Sequence, residues 1–293
     1  MKDLWDIKNI REILEKHNFN FSKSLGQNFL VNRNVCPEMA RQAVESGEVS
    51  VIEVGPGIGI LTKELAMCAK KVLSVEIDTR LLPVLEETLA EFDNVEILNA
   101  DILKLDINEL INEKFSGEDV VVCANLPYYI TSPVIMHFLE SKSSLKSLTV
   151  MVQKEAADRL CAEVGSREAG AVSVAVNYYA EAQKLFNVSK GSFFPQPKVD
   201  SAVIKLTIRN KPPVVISDEK LFFKIVKAAF SQRRKTAANG ISSGLGMEKC
   251  RVIEAIAEAG LDENIRAEKL TMQQLASLTE CISKKNEIIF GEK

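Results

Sequence analysis

Hydrophobic and polar positions fall into two regimes along the chain. Short β-rich apolar runs come first: VSVIEVG (49–55), KVLSVEI (71–77), VEILNA (95–100), DVVVCA (119–124) and LTVMVQ (148–153). The stretches between them are long enough for crossover helices, which predicts a parallel, doubly wound α/β sheet. Two later runs, AVSVAVNYYA (171–180) and SAVIKLTIR (201–209), alternate in strand fashion with no clear helix between them. They are expected to pair antiparallel at one edge, making seven strands.

Beyond RNKPPVV (209–215) the period changes. LFFKIVKAAF (221–230), EKCRVIEAIAEAG (248–260) and MQQLASLTECISK (272–284) repeat apolar residues at three- and four-residue spacing, which predicts helices. GISSGLG (240–246) reads as a flexible loop. A domain boundary is expected near Asn210, dividing the chain into 1–210 and 211–293. The length of 293 residues agrees with about two domains.

Composition narrows the class. With 46% hydrophobic and 26% charged residues the chain has the make-up of a soluble globular protein. Its N-terminus, MKDLWDIKNIREILEK, is too frequently charged for a signal peptide or membrane span, so a cytoplasmic protein without membrane contact is expected. The six cysteines are scattered and form no C-x-x-C pair, and are expected to be buried and inert. His17 and His137 are the only histidines and lack ligand spacing, so no metal site and no serine-histidine mechanism is expected. The net charge of −3 hides a segregation: Lys184 to Arg251 holds 14 Lys or Arg against 4 Asp or Glu. Such a segment is either solvated surface or the footprint of a polyanion partner.

The candidate chemistry lies at strand ends. The first long strand runs into Glu53-Val54-Gly55-Pro56-Gly57-Ile58-Gly59, where glycines permit a tight turn and close backbone approach to a ligand. The dinucleotide fingerprint needs a glycine where Ile60 stands, so the spacing is E-x-G-x-G-x-G instead. The next strand ends in Glu76-Ile77-Asp78, placed to accept hydrogen bonds from ribose hydroxyls, and the third in Asn99-Ala100-Asp101. Each carboxylate has a plainer reading as a helix cap. Their recurrence at successive strand ends favours a nucleoside site. The fourth strand ends in Asn125-Leu126-Pro127-Tyr128, poor material for continuing a sheet. It either stops the strand or grips a flat, hydrogen-bonding ligand.

Taken together, SLGQNFL (24–30), EVGPGIGILT (53–62), VEID (75–78) and NLPY (125–128) resemble the S-adenosylmethionine-dependent ribosomal RNA adenine dimethylase family. FFPQPKVDSAV (193–203), FSQRRKTAAN (230–239) and NIRAEKLT (264–271) sharpen the resemblance toward its small-subunit branch. The resemblance implies a Rossmann-like, seven-stranded class I methyltransferase sheet followed by a small helical domain. It implies that S-adenosyl-L-methionine is held by Gln27, Asn28, Leu30, Glu53, Gly55, Gly57, Glu76, Ile77, Asp101, Ile102 and Asn125. Gly55 would meet the methionine part, Glu76 the ribose and Asp101 the adenine. Asn32 and Ile102 depart from the family's usual residues at their positions, which bears on cofactor packing only.

The same resemblance gives NLPY a chemical role. An adenine exocyclic amine is a weak nucleophile, and two acceptors aimed at its hydrogens would localise its lone pair: the Asn125 side-chain oxygen and the Leu126 carbonyl, fixed by Pro127. Tyr128 and Phe193 would stack on the base, although Phe193 alone reads as ordinary packing. Lys23, Arg233, Arg234 and Lys235 would contact RNA phosphates. The implied substrate is small-subunit ribosomal RNA within a pre-30S particle, dimethylated by a monomeric enzyme at two adjacent adenosines near its 3′ end. The competing expectations are a large-subunit adenine methyltransferase conferring antibiotic resistance and an assembly factor whose RNA binding outweighs catalysis.

Overall fold

The computed structural model describes residues 3–21, 26–45, 48–232 and 234–290. The chain forms two compact units, one of residues up to 157 together with 181–208, the other of residues 158–180 and 209 onward. The helical unit thus takes in a segment that a single cut near Asn210 leaves with the sheet.

In the first unit the strands are β1 (Phe29–Leu30), β2 (Ser50–Val54), β3 (Lys71–Glu76), β4 (Val95–Asn99), β5 (Val120–Asn125), β6 (Leu145–Gln153), β7 (Ala180–Val188), β8 (Phe193–Phe194) and β9 (Ser201–Ile208). Seven of them form one Rossmann-like sheet in the order β4-β3-β2-β5-β6-β9-β7. Neighbours from β4 to β6 are parallel, and β9 is antiparallel to β6. The chain winds outward from β2 to β4, then returns to the other side of β2 as β5. Strand order therefore reverses between β2 and β5, which opens a crevice beyond their carboxyl ends.

Helices α1 (Ile7–Lys16), α2 (Val35–Ala43), α3 (Ile60–Cys68), α4 (Leu82–Thr88), α5 (Ile107–Phe115), α6 (Thr131–Glu140) and α7 (Lys154–Leu160) follow in chain order. Asp6 caps α1 by accepting from the Lys8 amide, and Ile10, Ile13 and Leu14 make its buried stripe. With Cys36, Met39 and Ala40 of α2 and Leu61 and Leu65 of α3, this stripe covers one face of the sheet, including Val51, Val72, Val121 and Cys123.

Two expectations are corrected. AVSVAVNYYA is not a strand: Ala171–Tyr179 is helix α8, and the seventh strand is the following segment, β7. Valine alternating with small and polar residues imitates a strand, but here the polar members bond locally. Ser173 Oγ donates to the Arg159 carbonyl at 2.6 Å, and Asn177 Nδ2 donates to the carbonyls of Ala162 and Ser173 at 3.1 and 2.9 Å. Val174 and Tyr178 then bury among the helices of the second unit. β7 shows little alternation because it is an edge strand whose exposed and half-buried positions are intermixed along its length.

GISSGLG is likewise no loop. The second unit continues with α9 (Glu219–Ala229), α10 (Ala237–Leu245), α11 (Lys249–Glu258) and α12 (Met272–Phe290), so Gly240 and Gly244 stand one turn apart on α10. A Cβ on Gly240 would lie 2.6 Å from the Ala228 carbonyl oxygen, and one on Gly244 would lie 2.4 Å from Ala228 Cβ. The glycines let α10 lie directly against α9 and are a packing device, not a source of flexibility. Cys250 is exposed in the first turn of α11, unlike the buried Cys36 and Cys123. The histidines are engaged structurally, His17 Nε2 with Glu87 at 2.7 Å and His137 Nε2 with the Leu105 carbonyl at 3.0 Å. Among the described residues no helix is long and apolar enough to cross a membrane.

Candidate active site

Side chains alternate along a strand, so strand register decides which of them meet. Glu53 is paired in register with Ser74 on β3 and Cys123 on β5. Glu76 lies two residues beyond Ser74, and Asn125 two beyond Cys123. Glu53, Glu76 and Asn125 therefore leave the sheet on the same face, the one that α2 and α3 cover. At the carboxyl ends of these strands is a cavity of about 240 Å³.

The turn after β2 forms its floor. Gly55 has φ +69° and Gly57 φ +62°, backbone positions that strain any residue with a Cβ. A Cβ on Gly55 would meet nothing within 4 Å, standing in open space; one on Gly57 would lie 3.0 Å from the Phe29 ring. Phe29 belongs to β1, which pairs antiparallel with β8, Leu30 opposite Phe193 and Phe29 opposite Phe194. This two-stranded ribbon brings QNFL and FFPQP, far apart in sequence, to one wall. Gln27 Nε2 donates to Asp78 Oδ2 at 2.8 Å, and Asp78 is in turn clasped by Arg80 at 2.8 and 2.6 Å. The Arg80 guanidinium holds the Asp78 carboxyl below its ordinary range.

At the tip of β3, Glu76 is buried. Its Oε1 accepts from the Asp78 amide at 2.8 Å. Burial raises its pKa, opposed by the amides of Asp78, Gly57 and Ile77. Asp101 accepts from the Leu103 amide at 3.1 Å, so it caps the next turn while also lining the cavity. Asn125 Nδ2 donates to the Asn28 carbonyl at 3.2 Å, which orients the amide and leaves Oδ1 as its open acceptor. The Leu126 amide donates to the Met151 carbonyl at 3.1 Å, while its own carbonyl takes no bond among the described residues. Tyr128 is fixed through its hydroxyl to Ser201 at 3.0 Å, and burial raises its pKa.

Gln27, Asn28, Leu30, Glu53, Gly55, Gly57, Glu76, Ile77, Asp101, Ile102, Asn125, Leu126, Pro127, Tyr128 and Phe193 all line this one cavity. Phe193 is 5% exposed and serves both as packing against Leu30 and as wall. Asn32 donates to Ser192 Oγ at 3.1 Å and accepts from the Asn34 amide, a donor role that an acid could not fill. Arg234 and Lys235 are exposed between α9 and α10; Lys23 and Arg233 lie outside the described residues. Sequence reasoning missed Tyr129, which lines the cavity yet is 55% exposed, and Arg80, which secures Asp78. The doubled tyrosine in NLPYY was the available signal for the first. Nothing local marks the second.

The cavity suits S-adenosylmethionine. It offers a glycine turn with open space at Gly55, carboxyl acceptors at Glu76 and Asp101, and apolar lining at Ile77, Ile102 and Leu103. The parallel sheet closed by an antiparallel β9, with this site at its switch point, defines a class I, S-adenosylmethionine-dependent methyltransferase. The sequence model for ribosomal RNA adenine dimethylase matches residues 18–284, and the chain belongs to that family. It is an rRNA adenine dimethyltransferase.

The chain is 50% identical over 279 residues to the ribosomal RNA small subunit methyltransferase A of Alkaliphilus oremlandii, covering 95% of this chain and 97% of that one. It is 46% identical over 285 residues to the Geobacillus protein of the same name, covering 96% and 98%. Among solved structures it resembles the 23S rRNA methyltransferase ErmE, with TM-score 0.65 and 27% identity over 87% of this chain and 99% of that one. A dimethyladenosine transferase from Plasmodium falciparum shares the fold, with TM-score 0.71 and 24% identity over 88% and 98%.

Proposed function

We propose that the enzyme dimethylates N6 of two adjacent adenosines near the 3′ end of small-subunit ribosomal RNA, acting as a cytoplasmic monomer on a pre-30S particle. The observation that carries the chemistry is the pair of open acceptors at one strand end, Asn125 Oδ1 and the Leu126 carbonyl, on the wall of the cofactor cavity. S-adenosylmethionine supplies a methyl group made electrophilic by its sulfonium. Gln27, Asn28, Leu30, Glu53, Gly55, Gly57, Glu76, Ile77, Asp101 and Ile102 hold it, with Glu76 accepting from the ribose.

Asn125 and Leu126 accept the two amine hydrogens of the target adenine, which draws its lone pair out of the ring and toward the incoming methyl group. After the first transfer one hydrogen remains, so one acceptor suffices for the second and the other must make room for a methyl. Tyr128, held by Ser201, and Phe193 bracket the base. A base inside a helix cannot enter such a cavity, which favours an unpaired or extruded target.

RNA contact is assigned to Lys23 and to Arg233, Arg234 and Lys235. Lys220, Lys224 and Lys227 support this: they lie exposed along one stripe of α9, in no ion pair among the described residues, and lead toward the triplet. Sequence identity favours the small subunit over the large-subunit alternative, because the 46–50% relatives carry the small-subunit name while the 23S enzyme matches at 27%. The test is to supply labelled S-adenosylmethionine to undermethylated small and large ribosomal particles and map the label. Dimethyladenosine confined to the small particle is expected; label on the large particle alone overturns the assignment.

A further inference from the structure

We infer that Glu53 senses the charge of the cofactor: the cationic methyl donor binds with Glu53 ionised, whereas the thioether product, neutral overall, leaves the protonation of Glu53 as it stands in the free protein. The inference rests on the cofactor reading above and deepens it.

Glu53 stands on the central strand in a row that crosses the sheet through Ser74, Glu53, Cys123, Thr149 and Lys205. It is 1% exposed. Both of its hydrogen bonds fall on one oxygen: Thr62 Oγ1 donates to Oε2 at 2.7 Å and Ser74 Oγ at 2.6 Å. Oε1 is enclosed and accepts nothing from the described residues. A carboxylate half-satisfied in this way needs a counter-charge, and among the described residues none faces it. The groups around it are Ser74 and Glu76 on β3, Cys123 on β5, Thr62 on α3 and Cys36 on α2. Glu76 opposes its ionisation, and burial keeps both thiols neutral. Lys205, the cation of the row, is held by the Gln42 carbonyl at 2.8 Å and Glu45 at 2.6 Å. Burial, only partly opposed by the two hydroxyls, accordingly pushes the Glu53 carboxyl up to about 7.

The missing cation arrives with the ligand, since Glu53 lines the same cavity as Gly55 and Asn125. S-adenosylmethionine carries a sulfonium and an ammonium against one carboxylate. S-adenosylhomocysteine has lost the sulfonium and is neutral overall. Only the first adds net positive charge to a desolvated site, where Coulomb interactions are weakly screened. The device favours binding of the donor over the product.

The test is calorimetric titration at pH 7 in two buffers of different ionisation enthalpy, which counts protons released per ligand bound. With Glu53 half protonated, the wild type should release about 0.3–0.5 proton more on binding S-adenosylmethionine than Glu53→Gln does. For S-adenosylhomocysteine the two proteins should agree. Equal proton counts for wild type and variant with S-adenosylmethionine, or the same excess with both ligands, overturn the inference. Should Glu53→Gln not fold, the wild type decides alone: its affinity for S-adenosylmethionine relative to S-adenosylhomocysteine should fall roughly tenfold from pH 8 to pH 6, and a constant ratio overturns it. Failure of S-adenosylmethionine to bind at all would instead sink the cofactor assignment.

Discussion

The contact between α9 and α10 gives opposite signs to two effects of one substitution. Alanine at Gly244 gains up to about 1 kcal/mol in helix propensity. It also places a Cβ 2.4 Å from Ala228 Cβ and 3.0 Å from Ala228 Cα, whereas carbon atoms pack best at roughly 3.5–4.0 Å. An overlap above 1 Å belongs at the upper end of overpacking costs, about 3 kcal/mol, so Gly244→Ala should be net destabilising by about 2 kcal/mol. Ala228→Gly removes the nearer atom, so the double variant should show a favourable coupling of roughly 1–2 kcal/mol in a cycle of urea denaturations. At Gly240 the obstacle is the Ala228 and Ala229 carbonyl oxygens, at 2.6 and 2.9 Å. Gly240→Ala should therefore be at least as costly and gain no rescue from Ala228→Gly. A Gly244→Ala variant more stable than wild type would refute the packing role and restore the flexible loop.

Other predictions concern ligands and pH. Glu76→Ala should weaken S-adenosylmethionine binding by roughly 1–3 kcal/mol, the range for hydrogen bonds to a charged acceptor; unchanged calorimetric affinity in the folded variant removes Glu76 from the ribose. Replacing Arg234 and Lys235 by alanine should weaken ribosomal RNA binding and reduce its salt slope by about one counterion per lost phosphate contact; an unchanged slope makes the pair plain solvated surface. For ligand-free stability, Glu53 has a folded pKa near 7 against an ordinary 4.5. Between those values the folded state binds more protons than the unfolded one, so its contribution is fully present below 4.5 and lost as pH rises through 7. Thermal denaturation should show stability falling by up to about 3 kcal/mol over that window from this group, and a profile that Glu53→Gln leaves unaltered would contradict it.

What could be read from the sequence follows from how each signal is encoded. Strands buried on both faces announce themselves as apolar runs, continuous through Ala124 in β5 and broken in β2 by the buried Ser50 and Glu53, and the glycine turn and strand-end acids are local in sequence. The residues of the cavity were therefore legible one strand at a time. Their convergence followed from the parallel sheet itself, whose strands all end at one crevice. Where the reading failed, tertiary contacts override local pattern: α8 is an alternating valine segment made helical by a packed environment and side-chain bonds from Ser173 and Asn177. Gly240 and Gly244 mark a close approach that cannot be told from a flexible stretch without the neighbouring helix. The Gln27–Asp78–Arg80 clasp joins segments fifty residues apart and leaves no pattern in either.

The proposed mechanism stands most directly on Asn125, whose amide is oriented by the Asn28 carbonyl with Oδ1 left unbonded among the described residues. The measurement is single-turnover methyl transfer from S-adenosylmethionine to undermethylated small-subunit particles, comparing wild type with folded Asn125→Ala and scoring mono- and dimethyladenosine separately. Loss of one preorganised polar group, about 3 kcal/mol of transition-state stabilisation, corresponds to a rate roughly a hundredfold slower. The account predicts that loss with RNA binding intact. Near-wild-type rates for both products would reduce NLPY to a strand stop and contradict the mechanism.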